Sequence, residues 1–104
     1  MYIKVIHRAF EDTPYTAAVV DCPTDNILEA CEYAYRYTNN VDGSWSLKIG
    51  SDANDNVEVV AKLHVDAEGK TWGLRSTSVG DHMQALGATY EVAGVGFKLV
   101  DKAA

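Results

Sequence analysis

Apolar and polar residues alternate through the first positions of the chain. Ile3, Val5 and Ala9 share one side with His7 between them, and Tyr2, Lys4, Ile6 and Arg8 share the other. A period of two is that of a strand with one covered face. Glu11-Asp12-Thr13-Pro14 reads as a turn, and Tyr15 to Asp21 returns as a second strand. The pair predicts an antiparallel hairpin.

The period then lengthens. Pro23-Thr24-Asp25 is a helix-start signal, in which Thr24 or Asp25 can cap and Asp25 and Glu29 place negative charge at the positive end of the helix dipole. Ile27, Leu28, Cys31, Ala34 and Tyr35 follow at spacings of three and four and form one apolar stripe. Asn39-Asn40 can take the left-handed conformation that closes a helix, so the spacing predicts a long helix over 25–38.

Beyond it the period returns to two. Ser44 to Ile49 reads as a short strand, and the polar run Gly50 to Asn56 as a mobile loop. Val57, Val59, Ala61, Leu63 and Val65 alternate with Glu58, Lys62 and His64, and Asp66-Ala67-Glu68-Gly69 turns this strand onto Lys70 to Ser76. Three short strands close the pattern at His82 to Leu86, Thr89 to Ala93 and Val95 to Val100, joined at Gly87-Ala88 and Gly94 to Gly96. Short strands with frequent glycines predict strong bending. The expected class is α+β: the helix packs on a strongly bent, mostly antiparallel sheet or a partly open barrel, in a single domain spanning 1–104.

The 104 residues suit one domain, and 47% hydrophobic residues with ten aromatics argue against disorder. No stretch reaches the ~18 apolar residues of a membrane span, and the amino terminus lacks a signal-like apolar run. These readings predict a cytoplasmic protein with no membrane partner. Cys22 and Cys31 are expected to stay reduced. The net charge of −6 is unevenly spread: residues 1–40 and 41–70 each carry three basic against six acidic residues, while 71–104 balance. No basic stripe marks a phosphate-binding surface, which weighs against nucleic acid.

Catalytic patterns are weak. His7, His64 and His82 fall on separate predicted strands and neither cysteine has a C-x-x-C partner, so no metal or cofactor is expected. Asp52 to Asn56 opens like a calcium loop, but Val57 stands where glycine is required and Leu63 where glutamate is. Ser76, Ser78, Asp81 and His82 are neighbours in sequence rather than convergent, and no G-x-S-x-G elbow accompanies them. Gly94-Val95-Gly96 precedes no helix and is not a dinucleotide fingerprint.

Aromatic placement says more. Tyr33 and Tyr37 lie with Ala30 off the apolar stripe of the helix, and Trp45 follows soon after it. Either they form a partly exposed binding patch, or the 44–56 segment wraps the helix and buries them. In the turn Ser78-Val79-Gly80-Asp81, Val79 is expected in the core, Gly80 in a conformation other residues resist, and Asp81 as a cap. Arg75 then pairs with Asp81 or stays free to contact a ligand.

The run Arg75-Ser76-Thr77-Ser78-Val79-Gly80-Asp81, followed by Tyr90-Glu91-Val92-Ala93 and Gly96-Phe97, resembles a pattern in small, mostly uncharacterised proteins of tailed bacteriophages and related mobile elements. Glu29 through Trp45 is similar to the helix and following turn of the same group, so the resemblance covers about half the chain. His82 stands where such proteins more often carry an aliphatic residue. The resemblance supplies no catalytic residues. It implies work in the cytoplasm of an infected bacterium, by binding. The leading expectation is a noncatalytic accessory protein that modulates a host or phage protein through Tyr33, Tyr37, Trp45 and Arg75. The alternatives are a single-stranded nucleic-acid module, with bases stacked on sheet aromatics, and a pocket that sequesters a nucleotide or small molecule with Arg75 on its anion.

Overall fold

The computed structural model describes residues 1–102. Its elements run β1 (Tyr2–His7), β2 (Tyr15–Asp21), α1 (Ile27–Tyr37), a single 3-10 turn (Gly50–Asp52), β3 (Val57–Val59), β4 (His64–Val65), β5 (Thr71–Trp72), β6 (His82–Ala85), β7 (Ala88–Val92) and β8 (Phe97–Lys102). Six strands form one sheet in the order β3-β2-β1-β6-β7-β8, and every pairing in it is antiparallel. Two meanders, β1-β2-β3 and β6-β7-β8, are thus joined along β1 and β6. The sheet has free edges at β3 and β8, so it does not close into a barrel. The radius of gyration, 13.5 Å, is close to the ~13 Å of a compact chain of this length.

Strand alternation builds the core. The register sets Ile3 beside Val20, Val5 between Ala18 and Met83, and Val20 beside Val57. All six are buried, and α1 covers them with Ala30, Cys31 and Ala34. Burying each large apolar side chain contributes about 1.5–3 kcal/mol. The buried stripe is rotated from the expected one: Ala30 is inside and Leu28 is 48% exposed.

The helix has 11 residues rather than the expected 14, because side chains fix both ends. Asn26, not Thr24 or Asp25, is the N-cap, and its side chain accepts the Glu29 N–H at 3.0 Å. Thr24 braces this cap by accepting the Asn26 N–H and donating to the Glu29 carboxylate. At the other end the Thr38 hydroxyl donates to the Ala34 carbonyl at 2.7 Å and the Asn39 amide donates to the Tyr35 carbonyl. These bonds take up terminal carbonyls. Neither Asn39 nor Asn40 has a positive φ.

Three loop expectations are corrected. Ser44 to Ile49 is a tight reversal closed by a bridge between Ser44 and Ile49, not a strand. The 50–56 segment is fastened: Asp52 is fully buried, and its Oδ2 accepts the N–H groups of Val41, Asp42 and Gly43 while Oδ1 accepts from Arg36. The strand predicted over 57–65 breaks after Val59. The cause is a bulge in β2 at Ala17, whose carbonyl accepts both Val60 and Ala61 N–H groups. Two successive donors on one acceptor end the ladder, and the chain leaves the sheet to form the separate β4-β5 ribbon.

Candidate functional site

The turn at 75–81 is held by charge. Asp81, with no exposed side-chain surface, accepts five hydrogen bonds: from the N–H groups of Arg8, Ala9 and Ser78, and from Arg75 Nη1 and Nη2 at 2.7 and 2.8 Å. Burial pushes the Asp81 carboxyl up, but the Arg75 and backbone donors outweigh it and hold it at about 2. Arg75 spends its remaining donors on Glu11, through Nε and Nη2, and on the Ser76 carbonyl through Nη1. A guanidinium has five N–H groups, and all five are used. Arg75 is therefore a structural clamp between the 75–81 turn and the β1-β2 connection, with no donor left for the anion contact expected of it. Gly80 has φ +97, as its place in the turn suggests, but Val79 is 57% exposed and Thr77 takes the inward position instead.

His7 continues the inward side of β1 and is fully buried. A chain of hydrogen bonds runs through it. Tyr15 Oη lies 3.1 Å from His7 Nδ1, and His7 Nε2 lies 3.0 Å from Thr77 Oγ1. Thr77 donates to Thr38 Oγ1 at 2.8 Å, and Thr38 donates to the Ala34 carbonyl. Each threonine has one proton, so Thr77 can only accept from the imidazole. His7 must then carry its proton on Nε2 and accept the Tyr15 phenol on Nδ1. Burial and the positive charge of Arg75 lower its pKa, while burial raises that of Tyr15, so a neutral imidazole and a protonated phenol fit the chain. The alternation of β1 signals the inward histidine; its partners come from β2, α1 and the 75–81 turn, beyond any local pattern.

The helix aromatics divide. Trp45 is fully buried, its Nε1 donates to the Arg75 carbonyl at 2.9 Å, and its ring meets His7 edge-on at 6.2 Å, so it is a core residue and not part of a surface patch. Tyr33 and Tyr37 are half-buried and pack ring to ring at 4.8 Å. The Tyr33 hydroxyl accepts from the amides of Asn54 and Asn56, so the 50–56 segment does wrap this side. Arg36 lies over the Tyr37 ring at 4.9 Å and reaches Asp52 at 3.1 Å. Asp52 gathers the backbone of Val41 to Gly43, and Gly43 abuts Ile49. Val41 and Ile49 are 68% and 54% exposed. Arg36 and Tyr37 thus meet the Arg36–Asp52 ion pair at the end of α1, and Asp52 fastens beside them the loop that carries the exposed Val41 and Ile49. Asp52, the organiser, sits in a run whose composition signals only a loop.

The thiols are shielded, and the remaining histidine of the sheet is paired on its surface. Cys22 and Cys31 are buried free thiols, each pushed up to about 11 by burial. His82 joins Arg8 and Glu91 on the uncovered side of the sheet, at 3.3 and 3.5 Å. Among the described residues no group of three or more His, Cys, Asp or Glu could hold a metal ion, and no helix is long and apolar enough to cross a membrane. No protein-family model, no curated protein and no solved structure matches the chain.

Proposed function

We propose that the chain is a noncatalytic binding protein that docks a protein partner, of host or phage origin, through the end of α1 and the loop folded against it. One observation carries the reading: Arg36 stacks on Tyr37, which packs on Tyr33, and pairs with Asp52, the residue that ties down the loop bearing the exposed Val41. Tyrosine and arginine around exposed aliphatic groups is the composition of an interface centre. The carboxylates and histidine of the interior support the same reading, since Asp52, Asp81 and His7 each spend their hydrogen bonds on the fold. A protein partner is favoured over nucleic acid because the chain carries −6 and the basic group on this surface, Arg36, is already paired. The bacterial cytoplasm as the place of action rests on the phage resemblance alone.

The test is affinity capture from host and infected-cell lysates with the wild-type protein and with a Tyr37→Ser/Val41→Ser double variant, together with thermal melts. Loss of two interface-centre side chains is expected to cut retention of the specifically bound protein about thirtyfold. The melt should stay cooperative. Equal retention by both proteins refutes the assignment of this surface, and so does a loss of retention that merely tracks unfolding.

A further inference from the structure

A second feature lies away from the helix. The bulge at Ala17 draws residues 60–63 off the sheet, and the β4-β5 ribbon they lead into pairs only with itself. Between the ribbon and β2 opens a cleft of about 390 Å³. Gly73 and Leu74 run along it, and the Leu74 N–H is fixed to Ser46 Oγ at 2.8 Å. A Cβ at Gly73 would come within 2.7 Å of Ser44 Oγ and 3.0 Å of Ser46 Oγ, so a larger residue there would have to displace these hydroxyls, one of which holds the Leu74 N–H.

The lining has two halves. Tyr15, Trp72 and Leu74 supply ring and aliphatic surface, and Lys62 and His64 supply polar nitrogen. The Trp72 indole is braced from outside: its Nε1 donates to Asp66 Oδ2 at 2.9 Å, and Lys70 lies 4.2 Å from the ring centroid. Asp66 is further occupied by the N–H groups of Glu68 and Lys70. No carboxylate lines the cleft, in a chain with 15 acidic residues against nine basic ones. In a protein whose charge is otherwise negative, an aromatic cleft lined by an ammonium and an imidazole selects an anion attached to a flat ring. We propose that this cleft binds a small planar aromatic anion, with the ring against Trp72 and Tyr15 and the charge on Lys62 and His64. Cleft volume and lining match those of small-molecule sites, which run from about 300 to 1,000 Å³. The phenol of Tyr15 donates inward to His7, so the ligand meets its ring and lone pair.

This inference is independent of the helix surface, which shares none of these residues. Adenosine 5′-monophosphate and 1-naphthoate serve as probes, with adenosine and inorganic phosphate as the separated halves. Binding is read by Trp72 fluorescence, taken as the difference between wild type and Trp72→Leu, and by NMR shifts of His64 and Tyr15. Either anion should perturb both signals, and the separated halves should bind at least tenfold more weakly. Lys62→Gln should weaken the anions about tenfold, the worth of one charge-assisted hydrogen bond, and leave adenosine unchanged. Lys62 is a surface lysine off the sheet, so this variant should melt like wild type. The proposal is overturned if neither anion shifts His64 and Tyr15 at millimolar concentration, if adenosine binds as well as its phosphate, or if Lys62→Gln binds the anions normally.

Discussion

Replacing Arg75 with methionine tests the clamp on the 75–81 turn. The substitution keeps the aliphatic stem and removes all five N–H groups, leaving the buried Asp81 carboxylate with its three backbone donors. Removing one partner of a buried ion pair costs about 3–5 kcal/mol. The Arg75 side chain is 25% exposed and its Glu11 arm faces water, which sets the expectation at the lower end, about 3 kcal/mol. Glu11→Gln removes only that outer arm and should cost about 1 kcal/mol or less. A 3 kcal/mol loss lowers Tm by about 12 °C or more in a domain of this size. Urea and thermal unfolding followed by circular dichroism measure both variants. A pH series adds a second readout. With its carboxyl near 2 against an ordinary value of about 3.9, Asp81 binds its proton more weakly in the folded than in the unfolded state. Its contribution, about 2–3 kcal/mol, is therefore complete above about pH 4 and disappears as the pH falls towards 2. Arg75→Met should flatten that slope. If Arg75→Met costs no more than Glu11→Gln and keeps the acid slope, the clamp is not what holds the turn.

Nitrogen-15 NMR should find the His7 proton on Nε2, and Nδ1 unprotonated and hydrogen-bonded, at pH 7; a proton on Nδ1 would break the deduced Tyr15–His7–Thr77–Thr38 order. Because burial lowers the pKa of His7, the unfolded chain takes up this proton first, so stability should decline as pH falls below about 6.5, and His7→Gln should remove that component. Cys22 and Cys31, shielded and with thiols up at about 11, should react with a disulfide reagent at pH 8 only after denaturant is added; prompt labelling of the native protein would contradict their burial. Gly80→Ala puts a Cβ on a φ of +97 and 3.2 Å from the Ala9 side chain, and should cost about 1–2 kcal/mol in urea titrations; a neutral result would show that the turn relaxes freely.

Local rules were sufficient wherever one element's own side chains decide its form. The alternation of Ile3, Val5 and His7 places them on the inner side of β1; the β6-β7 turn was expected at Gly87-Ala88 and lies one residue earlier, at Leu86-Gly87, both with positive φ, while Ala88 opens β7. The helix was legible in existence but not in extent: Asn26 and Thr24 brace its start against Glu29, and the Thr38 and Asn39 side chains close it by donating to the Ala34 and Tyr35 carbonyls. The inward stripe was misplaced by a rotation of the helix: the small residues Ala30, Cys31 and Ala34 face the sheet, while Leu28 is half exposed.

The chain's periodicity thus determined the α+β class with one helix, the β1-β2 hairpin and the core side of β1, since these depend on the local alternation and spacing of side chains; the order of the strands in the sheet was not legible in it. Tertiary structure alone decided which polar groups are spent and which are left. Arg75 meets Glu11 across 64 positions, Asp52 gathers a backbone loop nine to eleven residues away, and Trp45 is capped by the carbonyl of Arg75, 30 positions on. The break after Val59 belongs there too, since it arises from a carbonyl freed by a bulge in another strand. A buried donor or acceptor must find a partner wherever the fold supplies one, and that partner's identity has no periodic signature in the sequence.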